Sequence, residues 1–141
     1  MCIRDSPDYL EPQEAVALVE PLVTAQYSLV QTARLSDGQA ILLDNAASAV
    51  GQALIQVAKA AGAKIFALVH SRAERDMIAE KYGLPTDHIF DSDLSNFVPL
   101  IESATQNRGV DVVVSQQPGA HIAGAMSVSY THLTLPTILR V

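Results

Sequence analysis

Four consecutive residues, Ser48, Ala49, Val50 and Gly51, stand where an apolar run gives way to a helical pattern in "LLDNAASAVGQALIQ", residues 42–56. A strand that turns directly into a helix places backbone N–H groups and the positive end of the helix dipole at one point, which suits a phosphate. In a dinucleotide turn, one glycine permits the bend, a second lets the backbone approach the pyrophosphate and a third packs helix on strand. Ala46, Ser48 and Gly51 occupy those three places. Gly51 meets the third requirement. Ser48 meets the second only in part, because its Cβ crowds the approach while its hydroxyl could donate to a phosphate oxygen. On pattern alone, a dinucleotide site and a plain structural turn both remain open.

A second cluster follows at the end of the next apolar run, in "HSRAER", residues 70–75. An NAD site places Asp or Glu here to bind the ribose 2′-hydroxyl, and an NADP site favours cations. His70 and Ser71 stand in place of the acid, and Arg72 and Arg75 are close enough to reach a 2′-phosphate. NADPH is therefore expected over NADH. Glu74 puts opposing charge in the same turn, and a solvated helix start with ordinary surface arginines is the alternative.

The elements that must position these residues alternate along the chain. Glu11–Val19 and Pro21–Leu35 read as two helical segments, the second with proline in its first turn and an apolar stripe of Leu22, Ala25, Leu29 and Ala33. A turn at Ser36, Asp37 and Gly38 leads to a short strand, Gln39–Leu43, and then to a helix over Ser48–Ala61 closed by Gly62. "KIFALV", residues 64–69, is a continuous apolar strand of the kind covered on both faces. Ser71 and Glu74 form a capping box for a helix ending near Gly83 and Pro85. A strand "HIF", a helix over Leu94–Thr105 and a strand "GVDVVVS" complete the pattern. Such alternation predicts an α/β fold with a doubly wound parallel sheet of Rossmann type and strand order 3-2-1-4.

Composition narrows the function classes. The chain has 141 residues, 49% of them hydrophobic, and a net charge of −6. Its few basic residues are scattered, so neither nucleic acid nor an anionic membrane surface is an expected partner. One cysteine excludes an internal disulfide, four histidines show no metal-ligand spacing, and no metal is expected. No apolar run approaches the ~20 residues of a membrane span, and a cytoplasmic location fits best.

"MCIRDS" and "SVSYTHLTLPTILRV" share no periodicity with what they flank and resemble translated adapter sequence at the ends of assembled gene fragments. Residues 1–6 are read as a non-native leader, 7–36 as a helical hinge segment, 37–126 as a partial NADP-binding Rossmann domain and 127–141 as a non-native tail. The alternative is that "SYTHLTL" is a genuine edge strand.

The run from "TAQYSL" through "HSRAER", with "RGVDVVVS" after it, resembles the cofactor domain of medium-chain dehydrogenases/reductases. It is most similar to the zinc-independent enoyl reductase domains of iterative, fungal-type polyketide synthases, over about residues 13–119. The resemblance implies hydride transfer from NADPH to an α,β-unsaturated acyl thioester, with an acyl carrier domain and neighbouring synthase domains as partners. It places Thr24 beside the nicotinamide, Val50 and Gly51 in the pyrophosphate turn, Ser71 and Arg75 at the 2′-phosphate and Ser115 at the start of the loop over the nicotinamide. It also implies a GroES-like substrate lobe and two further strands that this chain does not carry, which would leave an open edge beside "DVVVS".

Departures from the family pattern are concentrated at the ligand. "AASAVG" replaces "AAGGVG", so Ser48 and Ala49 stand for glycines, and "SQQPG" replaces "NSLSG", where Pro118 removes a backbone donor. The lysine proposed as proton donor falls on Glu74, and its partner aspartate falls on Leu94, next to Asp93. Weak or lost NADPH binding is expected. A catalytically silent structural domain of a polyketide synthase is the main alternative, and a quinone-reductase-like oxidoreductase is another.

Overall fold

The computed structural model describes residues 10–92, 94–116 and 133–134. Strands β1 (Ala40–Leu43), β2 (Lys64–Val69), β3 (Ile89–Asp91), β4 (Val112–Ser115) and β5 (Leu133–Thr134) form one sheet in the order β3-β2-β1-β4-β5. Every neighbouring pair is parallel, with Ile41 beside both Ile65 and Val112. The α/β, doubly wound architecture and the 3-2-1-4 order match the sequence expectation. The expectation for the edge does not hold unchanged: Leu133 and Thr134, within the segment read as a tail, pair with Val114 and Ser115 and cover part of β4. The leader and the rest of the tail lie outside the described residues.

Side-chain alternation along the strands builds two buried layers. Ile41, Leu43, Ile65, Ala67, Val69, Val112 and Val114 join one cluster with Ala53, Leu54, Ile55 and Ala58 of α2 (Ala49–Ala60) and Ile78 of α3 (Arg72–Tyr82). Leu42, Phe66, Leu68, Phe90 and Val113 face the other way, against Phe97 and Ile101 of α4 (Leu94–Ala104). Because the strand period is two, β1 to β4 each supply both layers, and this is why their buried runs are apolar on both faces.

The amino-terminal region differs from expectation. One helix, α1 (Pro12–Gln26), runs through Pro21 and passes into a π-helical segment, Tyr27–Thr32. Proline at an interior position removes the bond to the Ala17 carbonyl, which ordinarily ends or kinks a helix. Pro21 and Ala25 are buried, and this packing offsets the missing bond. The Ser28 hydroxyl donates to the Thr24 carbonyl at 2.6 Å in the widened turn. Ala25 and Leu29 of the expected stripe are fully buried against α2, with Leu22 and Ala33 packed beside them. Val16, Val19 and Val23 of α1 and Tyr27 at the start of the π-helical segment are exposed. Among the described residues, no helix is long and apolar enough to cross a membrane.

Candidate functional site

From β1 the chain moves to β2 and β3 on one side, then returns by α4 to β4 on the other. The carboxyl ends of β1 and β4 therefore flank the point where strand order reverses, and open α/β sheets bind ligands in the crevice there. A cavity of about 320 Å³ lined by Gly38, Ala40, Lys64, Thr105, Arg108 and Asp111 lies at the opposite, amino-terminal edge of the strands. It has no relation to the helix N-termini that this fold uses for anions.

The turn from β1 to α2 is tightly built. Asn45 has a φ of 54°, in the left-handed region that asparagine tolerates better than most residues. Ala46 is fully buried, and its N–H donates to the Leu68 carbonyl at 3.0 Å, pinning the turn to β2. Gly51 is buried, and a Cβ there would collide with the Asn45 carbonyl oxygen and lie 2.7 Å from Ala46 backbone atoms. Close packing of helix on turn, the third requirement of a dinucleotide motif, is thus met by a glycine with no room for a side chain.

Ser48 caps α2, its Oγ accepting from the Gly51 N–H at 2.9 Å. The same hydroxyl donates to Gln116 Oε1 at 3.0 Å, and Gln116 Nε2 donates to the Asp44 carbonyl at 3.3 Å. A hydroxyl has one proton to give. The Ser48 proton is committed to Gln116, so the free phosphate donor considered from sequence is not present in this arrangement. Ala49 is exposed at the first helical position, and Val50 is half-buried against the core.

Behind the turn, Ser115 and Asp44 are each 2% exposed, and the Ser115 hydroxyl donates to Asp44 Oδ2 at 3.0 Å. Asp44 N–H donates to the Val114 carbonyl at 3.0 Å, continuing the β1–β4 ladder. Asp44 Oδ1 is buried without a partner among the described residues. Asp44 and Gln116 were not singled out from sequence. The apolar strand ending in an acid at Asp44 was the available signal for the first; nothing local marks Gln116.

At the second cluster, Ser71 caps α3 by accepting from the Glu74 N–H at 3.2 Å. Glu74 Oε2 accepts at 2.7 Å from the N–H of His70, one residue earlier than a standard capping box would use. Ser71 and Arg72 are exposed. Arg75 Nη2 lies 3.5 Å from Asp91 Oδ1 at the end of β3, and its Nε is buried without a partner among the described residues. A carboxylate thus competes for the guanidinium expected at a 2′-phosphate. Thr24 is half-buried on α1, and no hydrogen bond joins it to the β1–α2 turn. Leu94 begins α4, while Asp93 and Pro118 lie outside the described residues.

The geometry is that of a nucleotide-binding α/β domain. The zinc-binding dehydrogenase family matches residues 49–132, and the chain belongs to that family, within the medium-chain dehydrogenases/reductases. Its likeness there is to polyketide synthase enoyl reductases. The highly reducing polyketide synthase sor1 of Hypocrea jecorina is 42% identical over 113 residues, covering 80% of this chain and 4% of that protein. The hybrid PKS-NRPS synthetase pyvA of Aspergillus violaceofuscus is 44% identical over 118 residues, covering 84% of this chain and 3% of its own length. The chain therefore spans only a few per cent of these relatives.

Solved structures agree. The CurK enoyl reductase superposes with a TM-score of 0.81 at 34% identity, covering 88% of this chain and 36% of that one. The nucleotide-binding subdomain of the enoylreductase domain of PpsC from Mycobacterium tuberculosis gives 0.72 at 31%, covering 79% and 61%. As for the metal in the family's description, no group of three or more His, Cys, Asp or Glu among the described residues could hold one.

Proposed function

We infer that the chain is the cofactor-binding part of an NADPH-dependent enoyl reductase domain of a reducing polyketide synthase, and that its dinucleotide site is weakened. The observation that carries the weakening is Ser48, whose side chain stands where the backbone must approach a pyrophosphate and whose proton is given to Gln116. The fit of the remaining residues supports a nicotinamide dinucleotide. Amides at the start of α2 would meet the pyrophosphate, and Gly51 permits the helix to sit close enough to present them. Ser71, Arg72 and Arg75 would meet a 2′-phosphate, and Thr24 and Ser115 would flank the nicotinamide. Bound NADPH would supply the hydride that saturates an acyl thioester. An acyl carrier domain and neighbouring synthase domains are the proposed partners, in the cytoplasm.

A second reading, a structural domain without catalysis, is favoured by one observation. Glu74, at the place of the family's proposed proton-donor lysine, is an acceptor held by the His70 N–H. One titration separates the two. NADPH fluorescence measured against the chain and against its Ser48→Gly, Ala49→Gly form is expected to show weak binding tightened roughly tenfold, or about 1.4 kcal/mol. Absence of any gain would favour the silent domain.

A further inference from the structure

Gln116 follows directly on β4, and its carboxamide spans the crevice where strand order reverses. One end accepts from Ser48 and the other donates to the Asp44 carbonyl, so a single side chain ties the phosphate turn to the end of β4. Both bonds are partly buried, and both partners are held from behind. Ser48 is fixed by the Gly51 N–H, and Asp44 by the Val114 carbonyl and the Ser115 hydroxyl. A pyrophosphate seated on the first turn of α2 would need the space in front of Ser48 and could take one further hydrogen bond from its hydroxyl. Gln116 holds the second of these directly.

We propose that Gln116 is a determinant of dinucleotide affinity: its side chain latches the phosphate-binding turn, and its departure frees the Ser48 hydroxyl to donate to a pyrophosphate oxygen. This rests on the cofactor reading above and changes the role of Ser48 within it. Ser48 is an obstacle while Gln116 is bonded to it and a ligand once that bond is broken. A hydroxyl donating to an ionised phosphate makes a stronger bond than one donating to a neutral amide. The exchange is favourable for Ser48, and the cost lies in leaving the two amide ends of Gln116 without their present partners.

The inference separates from simple crowding by the Ser48 Cβ through a double-substitution cycle on the chain, read by NADPH fluorescence and thermal denaturation. Gln116→Ala is expected to tighten NADPH roughly five- to tenfold while lowering the ligand-free midpoint slightly, since it removes two hydrogen bonds. A residue with only a structural role would move both in the unfavourable direction. In a Ser48→Ala background the latch is already broken and the freed donor is gone, so the same change at Gln116 should alter affinity less than about twofold. Gln116→Asn, one methylene shorter and unable to span both partners, should fall between. Measurable binding that Gln116→Ala and Gln116→Asn leave unchanged would overturn the latch and leave the cofactor reading standing. Failure of every folded variant to bind, Ser48→Gly with Ala49→Gly included, would overturn both.

Discussion

Helices α2 and α3 both start from a serine cap at the carboxyl end of a parallel strand, and what surrounds the two caps differs. Ser48 accepts from Gly51 at 2.9 Å and Ser71 accepts from Glu74 at 3.2 Å, so the local chemistry of helix initiation is shared. Around Ser48 the neighbours are buried: Asp44, Ala46, Gly51 and Ser115. Around Ser71 they are exposed or half-buried, and most carry charge. At α2 a ligand is accepted or refused by close contact and by hydrogen bonds partly shielded from water. At α3 it is accepted or refused by charges that solvent and salt screen. Substitutions at the two caps should therefore differ in size and in salt dependence.

The largest effect belongs to Gly51. A methyl group there meets the Asn45 carbonyl oxygen and the Ala46 backbone, none of which can rotate aside, and the Ala46 N–H is itself bonded to β2. Gly51→Ala should lower unfolding free energy by roughly 1–3 kcal/mol, the usual range for overpacking, and push α2 off the turn. Urea denaturation measures the first and NADPH titration the second. An unchanged denaturation midpoint would remove close helix packing from the account of the α2 cap.

Arg75→Ala comes next. Its guanidinium is one of the two cations proposed to meet the 2′-phosphate, and its bond to Asp91 at 3.5 Å is long and two-thirds exposed on the acid side. Loss of the guanidinium should weaken NADPH about three- to tenfold and leave NADH unchanged, a discrimination of about 1 kcal/mol. The difference should shrink on raising ionic strength from low to physiological. Equal losses for both cofactors would show that Arg75 acts through packing of its stem and not through charge.

Much of the fold was legible because the periodicities were long and consistent. "KIFALV" is β2 residue for residue, and Ser71 and Gly83 bound α3 at the two ends where the sequence places them. Pro21 misled because a first-turn proline and a tolerated interior proline look identical without knowledge of what buries the ring. Leu133–Thr134 carries no period over two residues, and its pairing with β4 is a long-range event. The site divides in the same way. Ser48, Gly51, Ser71 and Arg75 announce themselves by position relative to strand ends. Gln116 and Asp91 do not, because their relevance comes from partners 68 and 16 residues away along the chain.

Glu74→Gln is expected to have the smallest effect and gives the cleanest test of the contrast. Glu74 now does two things at once: its carboxylate accepts the His70 N–H at 2.7 Å, and its charge stands in the turn proposed to meet a 2′-phosphate. Glutamine keeps a carbonyl acceptor at the same reach and removes only the charge, so α3 should keep its start with a loss of a few tenths of a kcal/mol in dipole and bond strength. Repulsion from one half-exposed carboxylate amounts to ~1 kcal/mol or less, which caps the gain in NADPH affinity at about fivefold. That gain should fade with added salt, whereas tightening by Ser48→Gly with Ala49→Gly is set by contact and should persist through the same titration once the shared loss of phosphate attraction is subtracted. A Glu74→Gln gain that survives high salt would mean that the carboxylate obstructs the site sterically, and the distinction between a contact-governed α2 and a charge-governed α3 would not stand.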